Sequence, residues 1–276
     1  MTKKTEKLAN KVKFTHSDPF FTVPIKTVKI SSGDVDLPIL YFDNTTFTAL
    51  FRADDDAVNE LLEGTGLEAA IRVGGKPIVV ISCFEYRSTS IGAYNEVGIA
   101  IPVNPKGRGR GVKAWVDLFG KADSREQSFY VVDLPVSTDA ACNAGKEIWG
   151  YPKFTAPISF SLSGNQFSCE ITDPETSQNI MSLKGKSQSL FPWMSIDLAS
   201  VSFLNDETLR THVNVRGGNW VRTNWGLQLK VGELDHPMAK RLKKLGLDGK
   251  SPIVALSSDR FQSRLNEGGR YQLVKT

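Results

Sequence analysis

The chain has 276 residues, of which 40% are hydrophobic and 23% charged, with a formal net charge of +4. It is long enough to bury a substantial core without disulfide staples, and its composition is that of an ordinary globular protein. The charge excess is small and its basic clusters, at residues 3–4, 106–110 and 240–244, lack interleaved aromatics, which argues against a nucleic-acid surface.

Taken in chain order, strand patterns rich in β-branched and aromatic residues are predicted over residues 22–30 and 37–41. A helix over 54–63 opens on an acidic cluster suited to the positive end of the helix dipole. Strands follow at 77–86 and 96–103, then a short helical pattern at 115–119 and a strand at 128–134. A helix over 138–149 has Ser137 or Thr138 as its cap and Gly150 as its stop. Strands at 158–162 and 166–171 flank Ser163-Gly164-Asn165, which suits a tight hairpin. A last helix, 236–245, carries Pro237 in its first turn and ends at Gly246. Mostly antiparallel strands with a few helices predict an α+β, mainly β fold. The segment Lys106-Gly-Arg-Gly-Arg-Gly-Val112 lacks the Gly-Lys-Ser/Thr ending of a phosphate loop and reads as a mobile loop.

Cys83, Cys142 and Cys169 are widely spaced and odd in number, so neither a disulfide framework nor a zinc motif is visible. The first residues, Met1-Thr-Lys-Lys-Thr-Glu-Lys7, lack the apolar run of a signal peptide, and no stretch reaches the roughly 20 apolar residues of a membrane span. A cytoplasmic protein with no membrane or nucleic-acid partner is expected.

The three histidines leave little room for histidine chemistry. His16 lies in a polar segment, His236 at a helix cap position, and His212 on a strand pattern with no metal-binding spacing. There is no Gly-x-Ser-x-Gly elbow and no dinucleotide glycine motif, so no metal or organic cofactor is expected. What remains is a lysine with carboxylates. Lys153 follows Gly150-Tyr151-Pro152 directly after a helix stop, among aromatic and apolar residues. The ordinary reading is a strand-edge lysine whose stem covers apolar surface. The chemical reading is a desolvated amine of lowered pKa that attacks a ketone to form a Schiff base. Glu96 opens the apolar run to Val103, just after Tyr94. It is either a strand-end surface residue or a carboxyl of raised pKa poised to move protons.

The motifs Glu147-Ile-Trp-Gly-Tyr-Pro-Lys153 and Tyr94-Asn-Glu-Val-Gly-Ile-Ala-Ile-Pro-Val103 together resemble the acetoacetate decarboxylase family. Phe51-Arg-Ala-Asp54 and Leu227-Gln-Leu-Lys-Val-Gly-Glu-Leu-Asp-His-Pro-Met-Ala239 are similar to that family's early strand-to-helix turn and closing region. The resemblance implies a closed, mainly antiparallel β-barrel assembled into homo-oligomers, here with an N-terminal arm over residues 1–25 and one domain over 26–276. It maps the family's Schiff-base lysine onto Lys153 and its buried glutamate onto Glu96. It implies no cofactor and a small keto acid as partner, and acetoacetate decarboxylase itself is the known case of such a low-pKa lysine.

Two positions depart from the family pattern. Phe154 stands where the decarboxylase has a second lysine, so desolvation alone would have to lower the pKa of Lys153. Asn44 stands at the best match to an early substrate-binding arginine, and residues 37–48 contain no arginine. Arg87 or Lys146 could supply a cation instead. Tyr94 and Tyr151 are candidates for orienting the substrate, and Phe154 for walling the pocket.

Three functions stay open on this reading. One is a lysine Schiff-base decarboxylase of a β-keto acid, either acetoacetate-like or larger or less charged. Another is a Schiff-base aldolase or dehydratase of 2-oxo acids. The last is a non-catalytic barrel that binds an apolar carbonyl ligand.

Overall fold

The computed structural model describes residues 18–108 and 125–273. The expected helix at 115–119, His16, the Lys3-Lys4 pair, residues 109–112 of the glycine-arginine loop and residues 1–17 of the expected arm lie outside them.

A hairpin of β1 (Lys26–Ile30) and β2 (Gly33–Leu37) leads into the long strand β3 (Ile39–Arg52). Helix α1 (Asp55–Leu62) follows, with the Asp54 carboxylate accepting from the Ala57 amide at 3.1 Å as its cap. Short strands β4 (Leu67–Ala69) and β5 (Arg72–Val73) precede the hairpin of β6 (Lys76–Thr89) and β7 (Tyr94–Pro105). Next come β8 (Ser128–Asp133), helix α2 (Asp139–Trp149), β9 (Ile158–Ser163), β10 (Gln166–Thr172) and β11 (Asn179–Lys186). The last third adds β12 (Ser189–Trp193), β13 (Leu198–Leu204), β14 (Glu207–Arg216), β15 (Asn219–Arg222) and β16 (Leu227–Val231). Helix α3 (Pro237–Lys244), β17 (Val254–Leu265) and β18 (Gly269–Arg270) complete the chain. No described helix is long and apolar enough to cross a membrane.

Strands β17, β3, β6, β7, β8, β13 and β14 are hydrogen-bonded in that order, and β14 pairs back onto β17, closing a barrel. Every neighbouring pair in the ring is antiparallel except β8 with β13. A second sheet, β16-β11-β10-β9, packs on one side of it. The fold is thus mainly β with a closed barrel and flanking helices, as the sequence implied, with one parallel pair in the ring.

Register decides what each face of the barrel carries. Phe47, Cys83 and Val97 are partners across β3, β6 and β7, and so are Ala49, Ile81 and Ile99. All are fully buried in the cluster shared with the second sheet, where Phe167 of β10 stacks on Phe47 with ring centroids 3.7 Å apart. Each such large side chain contributes roughly 1.5–3 kcal/mol on burial. Because side chains alternate along a strand, the intervening rows face the barrel lumen. These rows are Asn44 with Tyr86 and Tyr94, Thr46 with Phe84 and Glu96, and Thr48 with Ser82 and Gly98. Further along, the rows turn apolar, and Leu50, Val80 and Phe129 pack together. The lumen is therefore polar and aromatic at one end and greasy at the other.

Candidate active site

Lys153 and Glu96 meet inside this barrel. The lysine Nζ donates to Glu96 Oε2 at 2.5 Å, and each residue is only 8% exposed. Glu96 comes from β7. Lys153 comes from the extended segment after α2, which runs beside the continuation of β8: Leu134 donates to the Pro152 carbonyl at 3.2 Å and Val136 to that of Phe154 at 3.0 Å. Val136 bridges Glu96 on one side and Thr155 on the other, so Lys153 and Glu96 lie on adjoining chain segments.

Two glycines let the lysine arrive there. Gly150 ends α2 in the left-handed region, at φ 66°, where its amide caps the helix carbonyls. A Cβ at Gly150 would also overlap the Phe203 carbonyl, so glycine is required twice over. Gly145, one turn earlier, leaves the space through which the lysine stem passes: a Cβ there would overlap Cδ and Cε of Lys153. The segment is then pinned to β13, with the Ser202 hydroxyl donating to the Trp149 carbonyl at 2.6 Å and Tyr151 sharing a 2.7 Å hydrogen bond with Ser200.

Tyrosines surround the pair. Tyr86 donates to Glu96 Oε1 at 3.4 Å, and the hydroxyls of Tyr41 and Tyr94 lie 3.0 Å apart. The Tyr86 ring is 4.6 Å from that of Tyr41 and 4.8 Å from that of Tyr94, centroid to centroid. Lys153 Nζ stands 5.9 Å from the Tyr94 ring centroid. Burial, with the Glu96 charge in addition, holds the phenols of Tyr41, Tyr86 and Tyr94 well above their ordinary pKa and pushes that of Tyr151 up to about 12. All four remain protonated at neutral pH and serve as hydrogen-bond donors. An amine, a carboxyl and phenols gathered in this way are groups able to attack a carbonyl, to transfer a proton and to orient polar groups, respectively.

Of the residues singled out in the sequence, Lys153, Glu96, Tyr94 and Tyr151 are together here. Arg87 is turned away. It follows Tyr86 on β6, so alternation points it outward, where it pairs with Asp43 at 2.7 Å and Glu85 at 2.5 Å. Lys146 is exposed on α2. Phe154 packs with the outer cluster, its ring centroid 5.1 Å from that of His236, and not with the tyrosines. His236 accepts from the Met238 amide at 3.2 Å and so caps α3. Among the described residues, no three His, Cys, Asp or Glu are gathered to hold a metal. Sequence reasoning missed Tyr41, Tyr86 and Gly145. Pairing the 77–86 and 96–103 strands across their connecting loop would have placed Tyr86 opposite Tyr94.

An open cleft of about 1730 Å³ lies elsewhere, lined in part by Asn59, Glu63, Lys106, Phe203, Asp206 and Tyr271. It touches neither Lys153 nor Glu96 and has no comparable pairing of nucleophile and acid.

The same architecture occurs in solved structures. An acetoacetate decarboxylase from Legionella pneumophila aligns with 95% of this chain and 97% of its own at a TM-score of 0.62, with 15% sequence identity. The enduracididine biosynthesis enzyme MppR complexed with pyruvate aligns over 89% of this chain and 95% of its own, TM-score 0.59, at 13% identity. An acetoacetate decarboxylase-like enzyme from Sphingomonas wittichii RW1 aligns over 87% and 95%, TM-score 0.56, at 12% identity. Among curated proteins none matches by sequence. The profile of the acetoacetate decarboxylase (ADC) family, however, matches residues 22–240 and takes in both motifs of the Lys153–Glu96 pair. On that match, the chain belongs to the acetoacetate decarboxylase family.

Proposed function

We propose that this protein is a Schiff-base lyase in which Lys153 attacks the ketone of a β-keto acid and carbon dioxide is lost. The observation that carries the reading is the buried 2.5 Å contact between Lys153 Nζ and Glu96 Oε2. An ammonium and a carboxylate so placed are neutral as a pair. Moving one proton along their hydrogen bond yields the free amine and a carboxylic acid without changing the net charge of the pocket. The amine adds to the ketone, and loss of water gives a protonated imine. The electron pair of the carbon–carboxylate bond flows into that imine as carbon dioxide departs, leaving an enamine. The Glu96 proton leaves with the water expelled as the imine forms, so Glu96 takes up one proton from solvent, the proton that the net reaction consumes, and delivers it to the enamine carbon. Water then adds to the imine and releases the ketone and the lysine. The tyrosine-walled site favours this step because the carboxylate is held out of bulk water and its charge disappears as the bond breaks.

A second reading is a Schiff-base aldolase or dehydratase of 2-oxo acids, which uses the same imine and enamine. Two observations favour keeping it. Arg87 and Lys146 both face away from the lumen, which leaves a carboxylate without either as an anchor. MppR, of similar fold, has been solved with the condensation product of pyruvate and imidazole 4-carboxaldehyde. A cytoplasmic setting and assembly into a homo-oligomer are part of the proposal, supported by three unpaired buried cysteines and by the apolar edge around β12.

The test is reductive trapping. The protein is incubated with acetoacetate or pyruvate, reduced with borohydride and mapped by peptide mass. An adduct on Lys153 is expected, and carbon dioxide release selects decarboxylation over aldol chemistry. Binding of a carbonyl compound with no adduct on Lys153 would instead make the barrel a non-catalytic carrier.

A further inference from the structure

Asn44 lies on the lumen face of β3, in one row with Tyr86 and Tyr94, and is fully buried. Its Nδ2 donates to the Phe261 carbonyl at 2.9 Å. A carbonyl only accepts, so that bond fixes which way the amide is turned. Oδ1 is thereby left as an acceptor, and no described protein group donates to it. One residue pair along, in the row of Phe84 and Glu96, the buried Thr46 hydroxyl is also without a described partner. The neighbouring Thr48 hydroxyl, by contrast, is paired with Ser82 at 3.0 Å. Buried polar atoms are almost always hydrogen-bonded, so two adjacent exceptions on the lumen wall call for a partner that enters the lumen.

We propose that Asn44 and Thr46 form a subsite for a neutral hydrogen-bond donor, a hydroxyl or an N–H, at the end of the substrate remote from the reacting ketone. The inference rests on Lys153 as the Schiff-base residue and extends that reading to the substrate class. Glu96 and Thr46 are both register partners of Phe84, so their strands lie two spacings apart, about 10 Å. A keto compound bound to Lys153 and longer than acetoacetate can reach across the lumen. The chemistry of its far end follows from the acceptor. A carboxylate placed there would set its lone pairs against those of Asn44 Oδ1, whereas a hydroxyl donates to Oδ1 and exchanges a hydrogen bond with Thr46. The subsite therefore selects a hydroxylated or amide-bearing keto acid over one with a plain alkyl end or a second carboxylate.

The experiment compares 3-oxopentanoate with 5-hydroxy-3-oxopentanoate, reading Lys153 adducts after borohydride reduction and, in parallel, affinity by calorimetry. The intact chain should take the hydroxylated compound with at least about tenfold higher affinity. Asn44→Leu, which keeps the volume and removes the acceptor, should erase that preference, so that the two compounds bind with equal affinity. Asn44→Asp should keep a preference for the hydroxyl, and serves as the control if the leucine variant does not fold. Equal affinity for the two compounds in the intact chain, or a preference that survives Asn44→Leu, overturns the proposal and assigns Oδ1 to a buried water. The absence of any Lys153 adduct counts against the Schiff base alone, because the calorimetric comparison still reads the subsite.

Discussion

Gly145 lies directly beneath the side chain of Lys153, and a methyl group on its Cα would overlap Cδ and Cε of the lysine. The hydrogen atom at that position is therefore the groove that leads the amine to Glu96. Gly145→Ala should favour helix α2 by about 1 kcal/mol through propensity alone. The overlap is with the flexible part of a side chain, so the fold can adapt by swinging the lysine aside. We expect a melting temperature that is unchanged or raised, together with a fall of at least about tenfold in borohydride-trapped adduct, since a displacement of about 1 Å is enough to cost two decades in rate. Trapping as fast as in the parent would show that the glycine does not position the amine.

The Lys153–Glu96 pair also makes a stability prediction. Removing one member of a buried ion pair leaves the other charge unsatisfied and costs about 3–5 kcal/mol, whereas replacing both by apolar residues is often neutral. Lys153→Met and Glu96→Leu should each lower stability in a denaturant titration, and the double variant should recover most of the loss. Additive losses would mean that the two groups are not coupled in solution, and would remove the proton relay on which the mechanism depends.

How much of this was legible in the sequence depended on the length of the pattern. The hairpin of β6 and β7, with apolar runs such as Ile78-Val-Val-Ile81 and Val97-Gly-Ile-Ala-Ile101, was readable, as were all three described helices, whose caps Asp54 and His236 and stop Gly150 are local signals. Of strands β11 to β18, only the short pattern around His212 in β14 was anticipated. β14, Glu-Thr-Leu-Arg-Thr-His-Val-Asn-Val-Arg, is half-buried along most of its length, so polar residues break its alternation. The run of 37–41 was seen, but β3 continues to Arg52 through Asp43-Asn44-Thr45-Thr46, a polar stretch that becomes strand only because the barrel pairs it on both sides. The site followed the same rule. Lys153 and Glu96 were visible locally as charges among apolar neighbours, but a surface role fitted each as well, and it was the resemblance of their two motifs to a known family that singled them out. Tyr41 and Arg87 depended on register, which only the closed sheet supplies.

Burial of the phenols predicts an alkaline transition. All six tyrosines of the chain have their pKa raised, first of all by burial. In the unfolded chain a tyrosine ionises near pH 10, while in the folded protein Tyr151 holds its proton to about 12. Between those values the native state binds more protons than the unfolded state, so stability falls as pH rises through the window. Ultraviolet titration at 25 °C should show little phenolate near pH 10 in the native protein, and the phenolate that does form should appear together with loss of far-ultraviolet circular dichroism. A reversible native titration of four or more tyrosines near pH 10 would mean that water reaches the lumen freely.

The edge of the long sheet predicts how the protein assembles. β12 is the last strand of its path and pairs only with β15 among the described strands. Leu190, Phe191, Trp193 and Met194 on or beside it are exposed, as are Trp220 of β15 and the nearby Trp225, which is 78% exposed. Residues 189–195 carry no charge. Large apolar side chains on an unpaired strand edge are an association surface, and a second copy of the same edge meets it without like-charge repulsion, as a two-fold contact requires. The expected outcome is a homo-oligomer at micromolar concentration in light scattering coupled to size exclusion. Leu190→Glu with Trp193→Glu, both at exposed positions, should shift it to a smaller species with unchanged circular dichroism, because the barrel and the Lys153–Glu96 pair lie elsewhere in the fold. A parent protein that runs as a monomer at that concentration would leave this edge without the role assigned to it.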